Sequence, residues 1–139
     1  MGAAVRKSLH GRQYAMSVET DITEAVAEYI SADRIGILGE ADRLAVLIAA
    51  EKDINVYRDR SRKKELMLQL RIRGDSQEDI VNELTAKVNS LRDHGRAFVV
   101  SDCQVLSIQS GNMLSPVVQD EKGRYIYLAM ISITFFTWR

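Results

Sequence analysis

Leu66-Met67-Leu68-Gln69-Leu70-Arg71-Ile72-Arg73-Gly74 is the stretch whose reading decides the fold. Apolar side chains fall on every second residue and polar or basic ones fall between them, which is the period of a half-buried β-strand. Leu66, Leu68, Leu70 and Ile72 belong on a core face; Arg71 and Arg73 belong on the face toward solvent or a partner. Gly74 ends the strand, and Asp75-Ser76-Gln77-Glu78 opens a helix, with an acid three positions after a capping residue. Ile80, Val81, Leu84, Val88 and Leu91 mark the buried stripe of that helix, and Gly95 after His94 stops it.

Working upstream, Glu51 to Lys64 is polar and reads as a connection, and the apolar run Leu44 to Ala50 reads as a strand covered on both faces, the candidate central strand. A first helix is expected from about Val18 to Ala32, with Val18, Ile22, Ala25, Val26, Tyr29 and Ile30 as its stripe and Asp21 and Glu24 as its opening pair. Gly36-Ile37-Leu38-Gly39 separates it from the strand. Residues 1–16 have no sustained period and read as a flexible arm.

Downstream, Phe98 to Ile108 holds at least one strand, with Leu106 and Ile108 on one face. A loop of turn formers runs from Ser110 through Gly111, Asn112 and Pro116 to Gly123. Tyr125 to Trp138 is a long strand; Tyr125, Tyr127, Ala129, Ile131, Ile133 and Phe135 share one face, and Ile126, Leu128, Met130, Ser132, Thr134, Phe136 and Trp138 share the other. Extended, it spans roughly 48 Å, against a radius of gyration near 14 Å for a domain of about this size. It must project or carry a bulge, or its partner must. The fold class is therefore α+β: an antiparallel sheet of about four strands packed on two helices, with a projecting hairpin or long C-terminal strand, residues 17–139 forming a single domain.

The chain has 139 residues, 46% hydrophobic and 27% charged, with 19 basic and 19 acidic side chains that cancel. That balance argues against disorder and against a simple nucleic-acid clamp, which carries a basic excess. By segment the charge alternates: +3 over residues 1–16, −6 over 17–42, +5 over 43–74 and −2 over the rest. Segments of opposite sign suit either solvated faces or copies of one chain that meet one another. The single cysteine, Cys103, reads as a small core hydrophobe. No apolar run reaches the length of a membrane helix, and no signal-type core follows the N-terminus, so a soluble, unexported protein is expected.

Catalytic constellations are sparse. His10 lies in the arm and His94 at a helix end, and no nucleophile sits in a Gly-x-Ser-x-Gly turn. No Walker or dinucleotide fingerprint is present. Gly36 to Gly39 has the form of a KH clamp, but Glu40 and Asp42 beside it would repel a phosphate backbone. The expectation is no enzyme, no metal and no cofactor. The candidate residues are instead interface residues: the basic run Arg58, Arg60, Arg62, Lys63 and Lys64, with Arg71 and Arg73; Glu24 and Glu28 on the first helix; and Asp120, Glu121, Tyr125 and Tyr127 at the start of the last strand.

Three stretches carry a resemblance. Val56-Tyr-Arg-Asp-Arg-Ser-Arg-Lys-Lys-Glu-Leu-Met-Leu-Gln-Leu-Arg-Ile-Arg-Gly74, the helix start Asp75-Ser-Gln-Glu78, and Gln119-Asp-Glu-Lys-Gly-Arg-Tyr-Ile-Tyr127 resemble the minor capsid or tail-completion proteins of long-tailed bacteriophages and prophages, over about residues 43–139. The chain departs from that pattern at Arg60, Ser61 and Arg62, where a turn glycine is frequent, and in having a single proline, Pro116, in the long loop. The resemblance implies a structural virion protein at the head–tail joint: a tail terminator whose ring, commonly of six copies, caps the tail tube and joins it to the head connector, with genomic DNA passing through unread. Its implied partners are further copies of itself, the tail tube protein and the head-completion or connector protein, and it would be assembled in the host cytoplasm. Another neck component, a small ligand-binding or regulatory domain, and a nucleic-acid-binding module are the alternatives.

Overall fold

The computed structural model describes residues 17–111 and 117–138, the side chain of Arg96 apart. The N-terminal arm proposed above lies outside the described residues. In chain order the elements are α1 (Val18–Tyr29), β1 (Arg34–Ile35), β2 (Leu44–Val56), β3 (Arg62–Gly74), α2 (Gln77–His94), a 3-10 turn (Gly95–Ala97), β4 (Cys103–Ser110), β5 (Val118–Gln119) and β6 (Tyr125–Thr137). The strands form one sheet in the order β1-β2-β3-β6-β4, with β5 also on β6. All pairs are antiparallel except β1 with β2. The α+β class stands, with six strands where about four were expected.

Both helices pack on the same face of the sheet. Leu66, Leu68, Leu70 and Ile72 of β3 and Ile131, Ile133 and Phe135 of β6 form its floor, all fully buried. Ile22 and Val26 from α1, Ile30 at its C-terminal cap, and Ile80, Leu84 and Leu91 from α2 close over it. Each such side chain contributes about 1.5–3 kcal/mol by leaving water. Gly95 passes so close to Ile108 that any side chain there would collide with it. The period-two pattern of 66–74 thus marks the floor of the core.

Four expectations need correction. The polar stretch 51–64 is not a connection: β2 continues to Val56, β3 begins at Arg62, and only Tyr57 to Ser61 turn. Cross-strand partners such as Lys52 with Glu65 and Asp53 with Lys64 take the place of the apolar alternation that marks a strand. Arg60 turns the chain with φ of +71°, and Asp59 Oδ1 accepts from the Ser61 amide at 3.0 Å and from its hydroxyl at 2.5 Å. An Asp-Ser clasp thus closes the turn without a glycine.

Second, Leu44–Ala50 is not central; β3 and β6 are, and β2 is buried only at Leu44, Ala45 and Val46, next to β1. Third, α1 is capped by Ser17, whose hydroxyl oxygen accepts from the Thr20 amide at 3.1 Å, one turn earlier than the Asp21 and Glu24 pair, and it ends at Tyr29. Fourth, β4 bulges between Val105 and Ser107, so Val105 rather than Leu106 joins Ile108 in the core. The long last strand does not project alone: β2, β3 and β6 each have 13 residues, β2 accommodating its length with two bulges of its own.

Candidate assembly surfaces

The basic run divides once it is folded. Lys64 lies on the core side of β3 and is ion-paired with Glu19 at the start of α1, with Asp53 Oδ1 a further 3.8 Å partner. Arg62 faces Asp53 at 3.5 Å, and Lys52 faces Glu65 at 3.6 Å. Arg58 and Arg60 stand exposed on the turn, and Lys63 is half-buried opposite Phe136. Those last three make no ion pair among the described residues.

Arg71 and Arg73 part company too. Arg71 is half-buried, 3.2 Å from Gln69 Oε1, beside a shallow dip lined by Ile37, Leu38 and Leu47. The Arg73 side chain is only 11% exposed and donates to the carbonyls of Gly39 at 2.7 Å, Glu40 at 2.8 Å and Asp42 at 3.3 Å, with Nε 3.4 Å from Asp120. It ties the 39–42 loop to the β5–β6 turn. Asp120 accepts from the amides of Lys122 at 3.0 Å and Arg124 at 2.9 Å and from Arg124 Nε at 3.0 Å. Burial works to raise its pKa, yet these donors and the guanidinium outweigh it and hold the carboxyl below the usual range. Arg73 and Asp120, singled out separately as interface residues, sit together inside the chain.

Glu121 is exposed at the tip of that turn, and Tyr125 and Tyr127 are half-buried against the core. Glu24 and the exposed Glu28 lie on the outer side of α1, along a groove of about 200 Å³ also lined by Val99, Val100 and Ser101. Buried Cys103 matches its expected place, and His94 stands exposed with its ring 6.4 Å from Tyr29.

Sequence reasoning passed over an aromatic row. Tyr57 and Phe136 have ring centres 5.9 Å apart, and Phe136 and Trp138 are 6.0 Å apart. The row sits on the sheet face away from the helices, flanked by Lys63 and the turn arginines. The alternation of the last strand did place Phe136 and Trp138 together; only the β2–β3 pairing brings Tyr57 to them.

At the other end of the sheet, Arg43 and Glu83 form a two-pronged pair, with Arg43 Nη2 2.6 Å from Glu83 Oε1. The hydrogen bond from Arg43 lowers the Glu83 pKa despite some desolvation. A carboxylate with a depressed folded pKa stabilises above its unfolded pKa and loses that contribution as pH falls through the folded value. In urea titrations, wild type should therefore exceed Glu83→Gln at pH 7 by under about 1 kcal/mol, because the pair is partly exposed. The gap should close as pH falls below about 4.3. A gap that is constant down to pH 3 would contradict the pairing.

Among the described residues no group of three His, Cys, Asp or Glu is placed to hold a metal ion, and no helix is long and apolar enough to cross a membrane. No family model and no curated protein matches the chain. Among solved structures it is similar to a chain of the virion of a native gene transfer agent (GTA) particle, with a TM-score of 0.48 and 12% identity over 90% of this chain and 97% of that one. At that score and identity the likeness lends no weight to a function.

Proposed function

We propose that this chain is a non-enzymatic structural protein of a long-tailed phage virion, the tail terminator, whose ring caps the tail tube and docks it to the head connector. The residues that resemble such proteins occupy connected places in the fold: the β2–β3 turn with β3, the capped start of α2, and the β5–β6 hairpin. The observation that carries the proposal is the part of β2 beyond Val46. Along its outer side, Leu47 to Val56 have no ladder partner among the described residues, and Ile54 and Val56 at its end are 45% and 56% exposed, with Tyr57 following. An unpaired edge with apolar side chains is a surface that a monomer normally protects and an assembling subunit uses.

Native mass spectrometry and negative-stain microscopy, on the purified chain alone and mixed with tail tubes, test this. Rings seated on tube ends are expected. A chain that stays monomeric and leaves tube ends bare would overturn the proposal, and binding to portal-bearing heads instead would move it to another ring of the neck.

A further inference from the structure

Resting on that reading, we infer that the two ends of the sheet are the two halves of one subunit contact, the basic aromatic end of one copy docking on the acidic end of the next. The register of β3 sets the geometry. Arg62 stands opposite Thr137 at one end and Gly74 opposite Tyr125 at the other end of a 13-residue strand, which is roughly 40 Å long.

At the Arg62 end lie Tyr57, Phe136 and Trp138 in their row, with Val56 and Trp138 each 56% exposed. Arg58, Arg60 and Lys63 surround them, the three cations left over after Arg62 and Lys64 are neutralised within the chain. Beyond Gly74 lie Asp75, Glu78 and Asp79 around the first turn of α2 and Glu121 on the β5–β6 turn, none within ion-pair distance of a cation among the described residues; Asp79 lies in the field of Arg43, whose own ion pair is with Glu83. Val118, 57% exposed, and the half-buried Val81 supply apolar surface between them. The partial positive charge of a helix N-terminus, about half a unit, is outweighed by three carboxylates.

Opposite charges this far apart cannot meet in one chain, but they meet when a second copy follows head to tail. Such a contact uses two different patches, so it repeats from copy to copy and makes a ring when the rotation between neighbours closes. The residue types on the two patches suit such a contact, since Tyr, Trp and Arg are enriched at interface centres and a rim of complementary charge sets register and the rate of encounter. The acidic face of α1 is less suited to the role, since Glu19 is already engaged by Lys64 of its own chain.

Two full-length variants test the inference. The triple change Arg58→Glu, Arg60→Glu, Lys63→Glu makes both ends acidic, and Glu78→Lys, Asp79→Lys, Glu121→Lys makes both ends basic. Circular dichroism should show both folded, because all six side chains lie outside the core. Each alone should self-associate at least about 100-fold more weakly than wild type. Mixed in equal amounts they should recover assemblies in which the two variants alternate, seen by native mass spectrometry. Wild-type assembly by either variant alone, or no recovery on mixing, would overturn the inference. Rings on tail tubes that survive both reversals would overturn it while leaving the tail-terminator proposal standing. Charge-controlled assemblies that ignore tail tubes would do the reverse.

Discussion

Phe135→Ala is expected to cost about 3–5 kcal/mol of folding stability, a large part of the 5–15 kcal/mol available to a domain of about this size. Phe135 has no exposure and is the largest fully buried side chain of the core. Its backbone is paired on both sides, to Lys64 of β3 and to Val105 of β4. Strands held in two ladders cannot close inward, so the missing ring leaves a cavity instead of a collapsed site. Phe135→Leu, which keeps most of the volume, should cost under about 2 kcal/mol. Equilibrium urea unfolding of both variants measures the difference; a loss below about 1 kcal/mol for the alanine variant would show that the helices do not close over this position.

The second large effect belongs to Lys64. Its side chain is 16% exposed and that of Glu19 only 10%, so the pair is largely withdrawn from water. Lys64→Met removes the cation and leaves the Glu19 carboxylate without its partner, at a cost of about 3 kcal/mol. Replacing both, as Lys64→Met with Glu19→Gln, should restore most of the loss, because two neutral side chains of similar size carry no stranded charge. A double-mutant cycle in urea gives the coupling. If the single and double variants were equally destabilised, Lys64 would be contributing its packing and not its charge.

The same residue shows where the sequence stopped being informative. The alternation in 66–74 put Leu66, Leu68, Leu70 and Ile72 on the core face, and they are there, because burial of every second side chain leaves a direct trace in composition. Glu51 to Lys64 left no such trace. Its strands are held by charges that face each other across the ladder, and a charge that meets a partner on the next strand, as Lys52 meets Glu65, looks the same in a sequence as a charge that meets water. For that reason the basic run read as one surface, whereas folding divides it into two neutralised residues and three outward ones. Arg73 hid in the same manner: three backbone carbonyls from the 39–42 loop hold its guanidinium, and backbone acceptors have no residue type. The bulge in β4 was invisible because a single extra residue reverses the faces of everything beyond it.

The unbroken pairing of β3 with β6, from Arg62 opposite Thr137 to Gly74 opposite Tyr125, has a mechanical side. Load applied at the two ends of the sheet runs along these strands, at right angles to their inter-strand hydrogen bonds. All the bonds of the ladder then resist together in shear, whereas a load across the sheet would open them one after another like a zip. The molecule is stiff along one axis and peels along another, and the stiff axis joins its basic end to its acidic end.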